Sequence, residues 1–363
     1  MPDEVKTPSS EEFVKNYYSY IFVKVLIVVG LVITVFLVAG YAITIGAGDV
    51  SIMETYGYIF NHIIGTQYEY RSEDWFKDYA IWNIRAPRVF AAIIAGFGLA
   101  VCGCVMQSIT KNPLADPYTT GISSGAVFGV SVAMVFGFAL GTGSGNLGLM
   151  FNAFIFGLIP AIFIIIVASS HTRSAATIVL AGIAITYIFS SLSTITMMFA
   201  SEATIKKAYL WQLGTMERVT VDMLPMMLFG VLACSLVVYV FSRQLNLLYL
   251  GTGSASTLGL DVATFRSIMV IIVALLTSTI ICFTGVIGFV GLVAPHIMRQ
   301  FISSDNRFLI PASGLLGGAF ILICDTIGRS PALGWDVPVG VVMSFVGAPL
   351  FLWIIIRSKK GAL

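Results

Sequence analysis

Charge is what this sequence has least of. Only 10% of its 363 residues are Asp, Glu, Lys or Arg, against 58% hydrophobic, and the mean hydropathy is +0.94. A soluble domain carries about 25% charged residues, so that class is excluded and an integral membrane protein is indicated. A net charge of +2, with no basic stripe interleaved with aromatics, excludes nucleic acid as a partner. There is no H-E-x-x-H zinc pair, no G-x-x-x-x-G-K-[ST] phosphate loop and no Rossmann glycine fingerprint. If ATP drives this protein, the ATPase is therefore another chain, and no catalytic residue, metal or cofactor is expected in this one. The five cysteines, Cys102, Cys104, Cys234, Cys282 and Cys324, all lie in apolar runs, where cysteine serves as a small hydrophobe. Cys102 and Cys104, two apart on a helix, point different ways and make a poor metal pair.

What is abundant is apolar sequence in long runs. A span needs about 20 apolar residues, and ten fit, at roughly 21–45, 89–109, 119–140, 151–169, 175–200, 222–241, 267–284, 287–302, 308–328 and 338–356. The expected fold class is all-α integral membrane with ten transmembrane helices. A tail at 1–20 precedes a transmembrane domain at 21–356, and a second tail follows at 357–363. The first run is too long for a signal-peptide core and lacks a small-residue cleavage site, so it is expected to stay as a span. With the tail inside, inner segments hold twelve Lys and Arg and the outer ones eight. That bias puts both termini in the cytoplasm of a cell-membrane protein surrounded by lipid, and the long loop 46–88 outside.

A polar island at 243–266 interrupts the apolar sequence and faces the cytoplasm on this orientation. Its leucines, followed by Gly251, Ser254, Ala255 and Gly259, predict two short helices joined at a glycine turn, a shape suited to docking. Gly121, Gly125 and Gly129 recur every four residues, as do Gly314 and Gly318, and predict helix-packing seams. Asp325 and Arg329, four apart at the outer end of the ninth span, are placed to pair along one helix face. Lys24, Arg299 and Arg357 lie near inner ends, where snorkelling accounts for them. Arg85 and Arg88 precede the second span at the outer surface, where guanidiniums suit a carboxylate-bearing partner or lipid headgroups. Met197, Met198, Met216, Met223, Met226 and Met227 cluster around the fifth and sixth spans, either as adaptable packing or as the lining of a path for a partly apolar cargo. GISSG at 121–125 fits G-x-S-x-G, but the nucleophile elbow needs a preceding strand, and nothing in the spacing pairs Ser123 with His62, His171 or His296.

Seven stretches together resemble the permease subunit of the FecCD family, the type II ABC importers of iron-siderophores, haem and cobalamin. They are IRAPR (84–88), MQSITKNPLADPYTTGISSGA (106–126), LAGIA (180–184), WQLGTM (211–216), LNLLYLGTGSASTLGL (245–260), GVIGFVGLVAPHIMRQ (285–300) and DVPVGVVMSFVGAPLFLWII (336–355). They occur in the family's order and cover nearly the whole chain from about residue 80. The resemblance implies the type II ABC importer permease fold and a homodimer of ten-span subunits. Its implied partners are an external substrate-binding protein and two cytoplasmic ATPase subunits, which hold the ATP and Mg. It makes the island at 243–266 the coupling helices, with Leu250, Gly251, Thr252, Ala255, Leu258 and Gly259 meeting the ATPase. It assigns Arg85, Arg88 and Arg329 to docking of the binding protein. It places Asn112 and Leu114 at the cytoplasmic gate, and the fifth and tenth spans along the path. Three features depart from the family pattern: Thr252 stands where an acidic residue is usual, Asp336 replaces the Glu before the late proline, and the outer insert 65–80 is longer.

Two rival readings are distinguishable from a permease. An ion-coupled secondary transporter wants a carboxylate at mid-membrane, and Asp325, the one candidate, lies near an end. An intramembrane hydrolase would need Ser123.

Overall fold

Every expected apolar run forms a helix. The computed structural model describes residues 10–46, 50–140, 146–170, 175–330 and 335–360. His171, Arg173 and the tail segments 1–9 and 361–363 lie outside the described residues, as do the side chains of Lys15, Arg357, Lys359 and Lys360. In chain order the helices are α1 (Ser10–Ala42), α2 (Ile52–Ile63), α3 (Glu73–Tyr79), α4 (Ala86–Thr110), α5 (Ile122–Phe136), α6 (Asn146–Ser170), α7 (Ala175–Met197) and α8 (Glu202–Gln212). There follow α9 (Leu224–Val240), α10 (Ser242–Tyr249), α11 (Thr252–Thr257), α12 (Val262–Thr284), α13 (Val290–Ile302), α14 (Asn306–Gly328) and α15 (Val339–Lys360). No named strand occurs among the described residues, only an isolated bridge between Leu213 and Val286. Among the described residues, seven helical runs are long and apolar enough to cross a bilayer; α5 and the described part of α15 are shorter apolar helices, and α13 has 13 residues.

The bundle is built around α4. Its most apolar window is 78% buried, those of α12 and α14 are 67% buried, and that of α1 only 11%, so α1 lies on the periphery. Small residues let the central backbones approach. A Cβ on Gly103 would collide with the Gly291 carbonyl of α13, and one on Gly96 with the Gly317 carbonyl of α14. The expected seam in α5 is present: a Cβ on Gly125 would sit 2.5 Å from the Phe156 oxygen of α6, and one on Gly129 2.6 Å from the Asn152 oxygen. Gly121 does something else. At φ +81° it turns the chain from a 3₁₀ turn at Pro117–Thr120 into α5, which is why that helix begins three residues after the expected position.

Most of the described part of the segment 46–88 is helical. Ser51 and Glu54 form a capping box that starts α2, Ser72 caps α3, and a π-helical turn at Ala80–Arg85 carries α3 without a break into α4. Arg85 and Arg88 are expected at the outer surface before the second span. In the fold they lie on the inner side of that continuous helix, 2% and 5% exposed. Lys24 also corrects the snorkelling expectation. It is 2% exposed, lies over the Tyr20 ring at 4.0 Å and reaches Ser303 and Asp305 at the start of α14 at 3.5 and 4.0 Å.

Candidate translocation cleft, coupling hairpin and outer ion cluster

Three irregular segments far apart in sequence meet inside the bundle. Leu213 bridges to Val286, the Thr215 amide donates to the Thr284 carbonyl at 2.8 Å, and the Gly340 amide donates to the Gly214 carbonyl at 2.9 Å. Tyr118 closes the knot, its hydroxyl donating to the Ile287 carbonyl at 2.8 Å. WQLGTM, GVIGF and DVPVG are thereby brought together with the residue that follows LADP. Non-helical backbone is tolerated at membrane depth only where protein satisfies its polar groups or where it lines a cavity. Both conditions hold here. Beside the knot lies a cleft of about 550 Å³, walled by Ser123, Ser124 and Val127 of α5, Ser190, Ser193, Thr194 and Met197 of α7, and Tyr209, Gln212, Leu213 and Val286. Hydroxyls and short apolar chains dominate, and among the described residues no charged side chain lines it.

Ser123 therefore faces the cleft, but α5 follows a 3₁₀ turn, so the strand that an elbow requires is not there. Of the methionines, Met197 lines the cleft, Met216 and Met227 are fully buried, and Met198 and Met226 are exposed on the outside of the bundle. Packing is the commoner use among them.

The island folds as expected into α10 and α11, joined at Leu250 and Gly251, the latter at φ +107°. Leu245, Leu248 and Ala255 are fully buried and hold the hairpin to the bundle, while Leu250 and Leu258 are each 61% exposed at its tip. Gly259, at φ +88°, ends the hairpin before Asp261 caps α12. Sequence reasoning missed Asn246. Its amide donates to Asp305 at 2.9 Å, and its oxygen accepts from the Asn306 amide at 2.8 Å and the Asn306 side chain at 2.9 Å. Ser108 of α4 donates to the Asn306 side chain at 3.4 Å and lies 3.3 Å from the Tyr249 hydroxyl. The hairpin is thus wired to α4 and α14 by hydrogen bonds as well as by leucines. Only the Leu-Asn-Leu-Leu spacing hinted at this, because an asparagine between leucines has one face turned inward.

Removing the Asn246 amide strands Asn306, which is fully buried. Asn246→Ala should cost about 1–3 kcal/mol, the penalty for an unmet buried polar group, read as a lower melting temperature in detergent. Acid should loosen the same joint. Partial burial by itself would raise the Asp305 carboxyl, but hydrogen bonds from Arg307 and Asn246 outweigh it and hold the group down at about 2 against an ordinary 3.8. The folded form thus favours the carboxylate, and its stabilisation is complete above 3.8 and lost as pH falls through about 2. Melting temperature against pH should decline less steeply in that window for Asp305→Asn than for the parent chain.

Asn112 and Leu114 lie in the turn after α4. Lys111 at φ +53° ends the helix, the Asn112 side chain accepts from the Leu114 amide at 2.9 Å, and Leu114 is 46% exposed. Nearby Asp116 caps the 3₁₀ turn by accepting from the Thr119 amide at 3.0 Å; burial pushes its carboxyl up to about 6 despite the amides of Thr119 and Tyr118.

At the opposite end the structure gathers Arg85, Arg88 and Arg329 into one buried cluster. Arg88 donates from Nε to Asp325 at 2.8 Å and from both terminal nitrogens to Asp336 at 2.5 and 2.7 Å. Arg329 lies 3.1 Å from Asp325, so the expected pair along α14 is formed, and it donates to the carbonyls of Ala42 and Ile45 at 2.6 Å each. Arg85 donates to the Thr44 and Gly46 carbonyls at 3.1 and 3.3 Å. Carbonyls at a helix C-terminus carry partial negative charge, so the end of α1 attracts both guanidiniums. The cluster ties α1, α4, α14 and the segment before α15, and Asp336 supplies its bidentate partner.

The model of the FecCD transport family matches residues 23–357. The chain belongs to the FecCD transport family. Among the relatives of this FecCD chain is an ABC transporter permease protein of Methanocaldococcus jannaschii, 35% identical over 95% of this chain and 98% of the relative. The hemin transport system permease HmuU of Yersinia pestis is 34% identical over 77% of this chain and 84% of its own length, and the vitamin B12 import permease BtuC of Klebsiella pneumoniae is 36% identical over 77% and 83%. A solved metal-chelate type ABC transporter in an inward-facing conformation is 25% identical, with a TM-score of 0.78 over 91% of this chain and 99% of that one. The FecCD chain is therefore a multi-pass membrane protein with the type II ABC importer permease fold, and its function is that of a transport permease in a family driven by partner ATPases.

Proposed function

We propose that two copies of this chain, each with ten transmembrane helices, form the path of an ATP-driven importer for a bulky metal chelate: a ferric siderophore, haem or cobalamin. The observation that carries the proposal is the uncharged, hydroxyl-lined cleft beside the WQLGTM–GVIGF–DVPVG knot, joined through the bundle to an exposed leucine-tipped hairpin. Two ATPase subunits, holding ATP and Mg, seat the tip at Leu250, Gly251, Thr252, Ala255, Leu258 and Gly259. Asn112 and Leu114 gate the cytoplasmic end. Both termini are cytoplasmic, and the protein lies in the cell membrane. An external binding protein docks on the opposite face, at the end of the bundle organised by Arg85, Arg88 and Arg329. Because these arginines are buried and paired within the chain, they shape that surface rather than present free charge to it. The chain performs no covalent chemistry. An ion-coupled cycle finds little support, since Asp325 sits against two guanidiniums and has no charge to spare for a cation.

The test is reconstitution with the ATPase and binding protein. Uptake of one chelate that requires ATP and both partners supports the proposal; uphill accumulation by this chain alone, driven by an ion gradient, overturns it.

A further inference from the structure

Helix α2 divides its side chains more cleanly than the transport cycle requires. At about 100° per residue, Ile52, Met53, Tyr56, Phe60, Ile63 and Ile64 fall within an arc of roughly 120°. All six are exposed, Met53 by 85% and Ile63 by 70%. The opposite arc is polar and fully engaged with the segment that follows. Glu54 lies 3.7 Å from Lys77, the Tyr58 hydroxyl donates to Asp74 at 2.5 Å, and Asn61 donates to the Tyr68 hydroxyl at 3.0 Å. His62 pairs with Asp78 at 2.9 Å and stacks on Trp82.

Six large apolar side chains on one face, each worth about 1.5–3 kcal/mol when removed from water, call for an occupant. Continuity with the lipid-facing surface of the bundle says which. The Tyr56 hydroxyl donates to the Gly40 carbonyl of α1 at 2.9 Å, and α1 is the least buried of the long apolar helices, with Phe36, Leu37 and Tyr41 all exposed. A soluble partner that leaves between cycles would return this face to water each time, whereas lipid is always present. Tyr41 and Tyr56, amphipathic rings at the junction of the two helices, suit the headgroup level.

We infer that α2 is an interfacial helix, its apolar arc sunk into the boundary between headgroups and acyl chains on the membrane face that carries residues 46–88. Its polar arc then holds α3, and with it the outer end of α4, at a set height above the bilayer.

Fluorophores on single added cysteines in the reconstituted full chain test this, with the unlabelled-site background measured on the parent. Brominated phosphatidylcholine should quench probes at Phe60→Cys and Ile63→Cys several-fold more than a probe at Glu73→Cys, which is 83% exposed on the polar side. Aqueous iodide should show the reverse order. Iodide quenching at 60 and 63 without bromolipid quenching, or equal quenching at all three sites, overturns the inference. So does protection from both quenchers that depends on adding the binding protein, or that disappears in the monomer; those outcomes assign the face to a protein partner or a second copy.

Discussion

Replacing Asp325 with Asn is expected to destabilise the folded chain by about 3–5 kcal/mol, the cost of leaving buried charge uncompensated. Asp325 is fully buried and lies between Arg88 Nε at 2.8 Å and Arg329 Nε at 3.1 Å, so the amide strands two guanidiniums rather than one. Arg88 retains Asp336, whose side chain is 41% exposed and therefore better hydrated. Arg329 retains the carbonyls of Ala42 and Ile45 but no carboxylate. The arrangement predicts that Arg329→Gln in the Asp325→Asn background recovers part of the loss, because the pair is coupled and the two changes should fall short of additivity. Melting temperatures of the two single variants and the double variant in nanodiscs measure this. A loss for Asp325→Asn within the ordinary range of a surface substitution, or strict additivity, would show that the cluster carries little energy. The position of the break is predicted too. Hydrogen exchange should rise first where α1 meets α14, because that junction is held by guanidinium-to-carbonyl bonds.

The second large effect is functional and should leave stability alone. Leu250→Asp with Leu258→Asp changes two side chains that are each 61% exposed, so the hairpin should still fold around buried Leu245, Leu248 and Ala255. If the tip seats in a partner's apolar pocket, each leucine behaves as an interface anchor whose loss costs about 2 kcal/mol or more. At 1.4 kcal/mol per tenfold, ATPase affinity should then fall by at least about a hundredfold. Uptake should vanish while the melting temperature changes little. The contrast with Asn246→Ala would separate two proposed roles on one hairpin: ATPase affinity at the tip leucines, and the stability of the link behind it at the asparagine. Unaltered co-purification of the ATPase with the doubly charged tip would remove the hairpin from the coupling assignment.

Much was legible in one dimension. Long apolar runs give each expected span its helix, because a chain in hydrocarbon has to satisfy its own backbone and a helix does so locally. The hairpin at 243–266 was legible for a related reason: polar and small residues within apolar sequence leave few alternatives to a short surface-exposed excursion, and glycine marks its turn. The spacing of Asp325 and Arg329 was enough to predict their pair. Within 46–88 the helices α2 and α3 carry too few apolar residues in a row to stand out as spans, although Ser51 and Ser72 sit where helix caps are expected. The burial of Arg85, Arg88 and Lys24 was not legible, since sequence cannot show what a charge meets inside a bundle.

By itself, then, the sequence determined the class, the helices of the long apolar runs and the polar hairpin, all of which follow from local hydropathy and local turn chemistry. Only the tertiary structure decided that WQLGTM, GVIGF and DVPVG form one knot beside a cleft. It alone placed Asp336, more than two hundred residues from Arg88, opposite it in an ion pair, and tied Asn246 to Asn306 behind the hairpin. Those meetings depend on close helix approach at Gly96, Gly103, Gly291 and Gly317, and backbone contact between distant helices leaves no periodic trace along the chain.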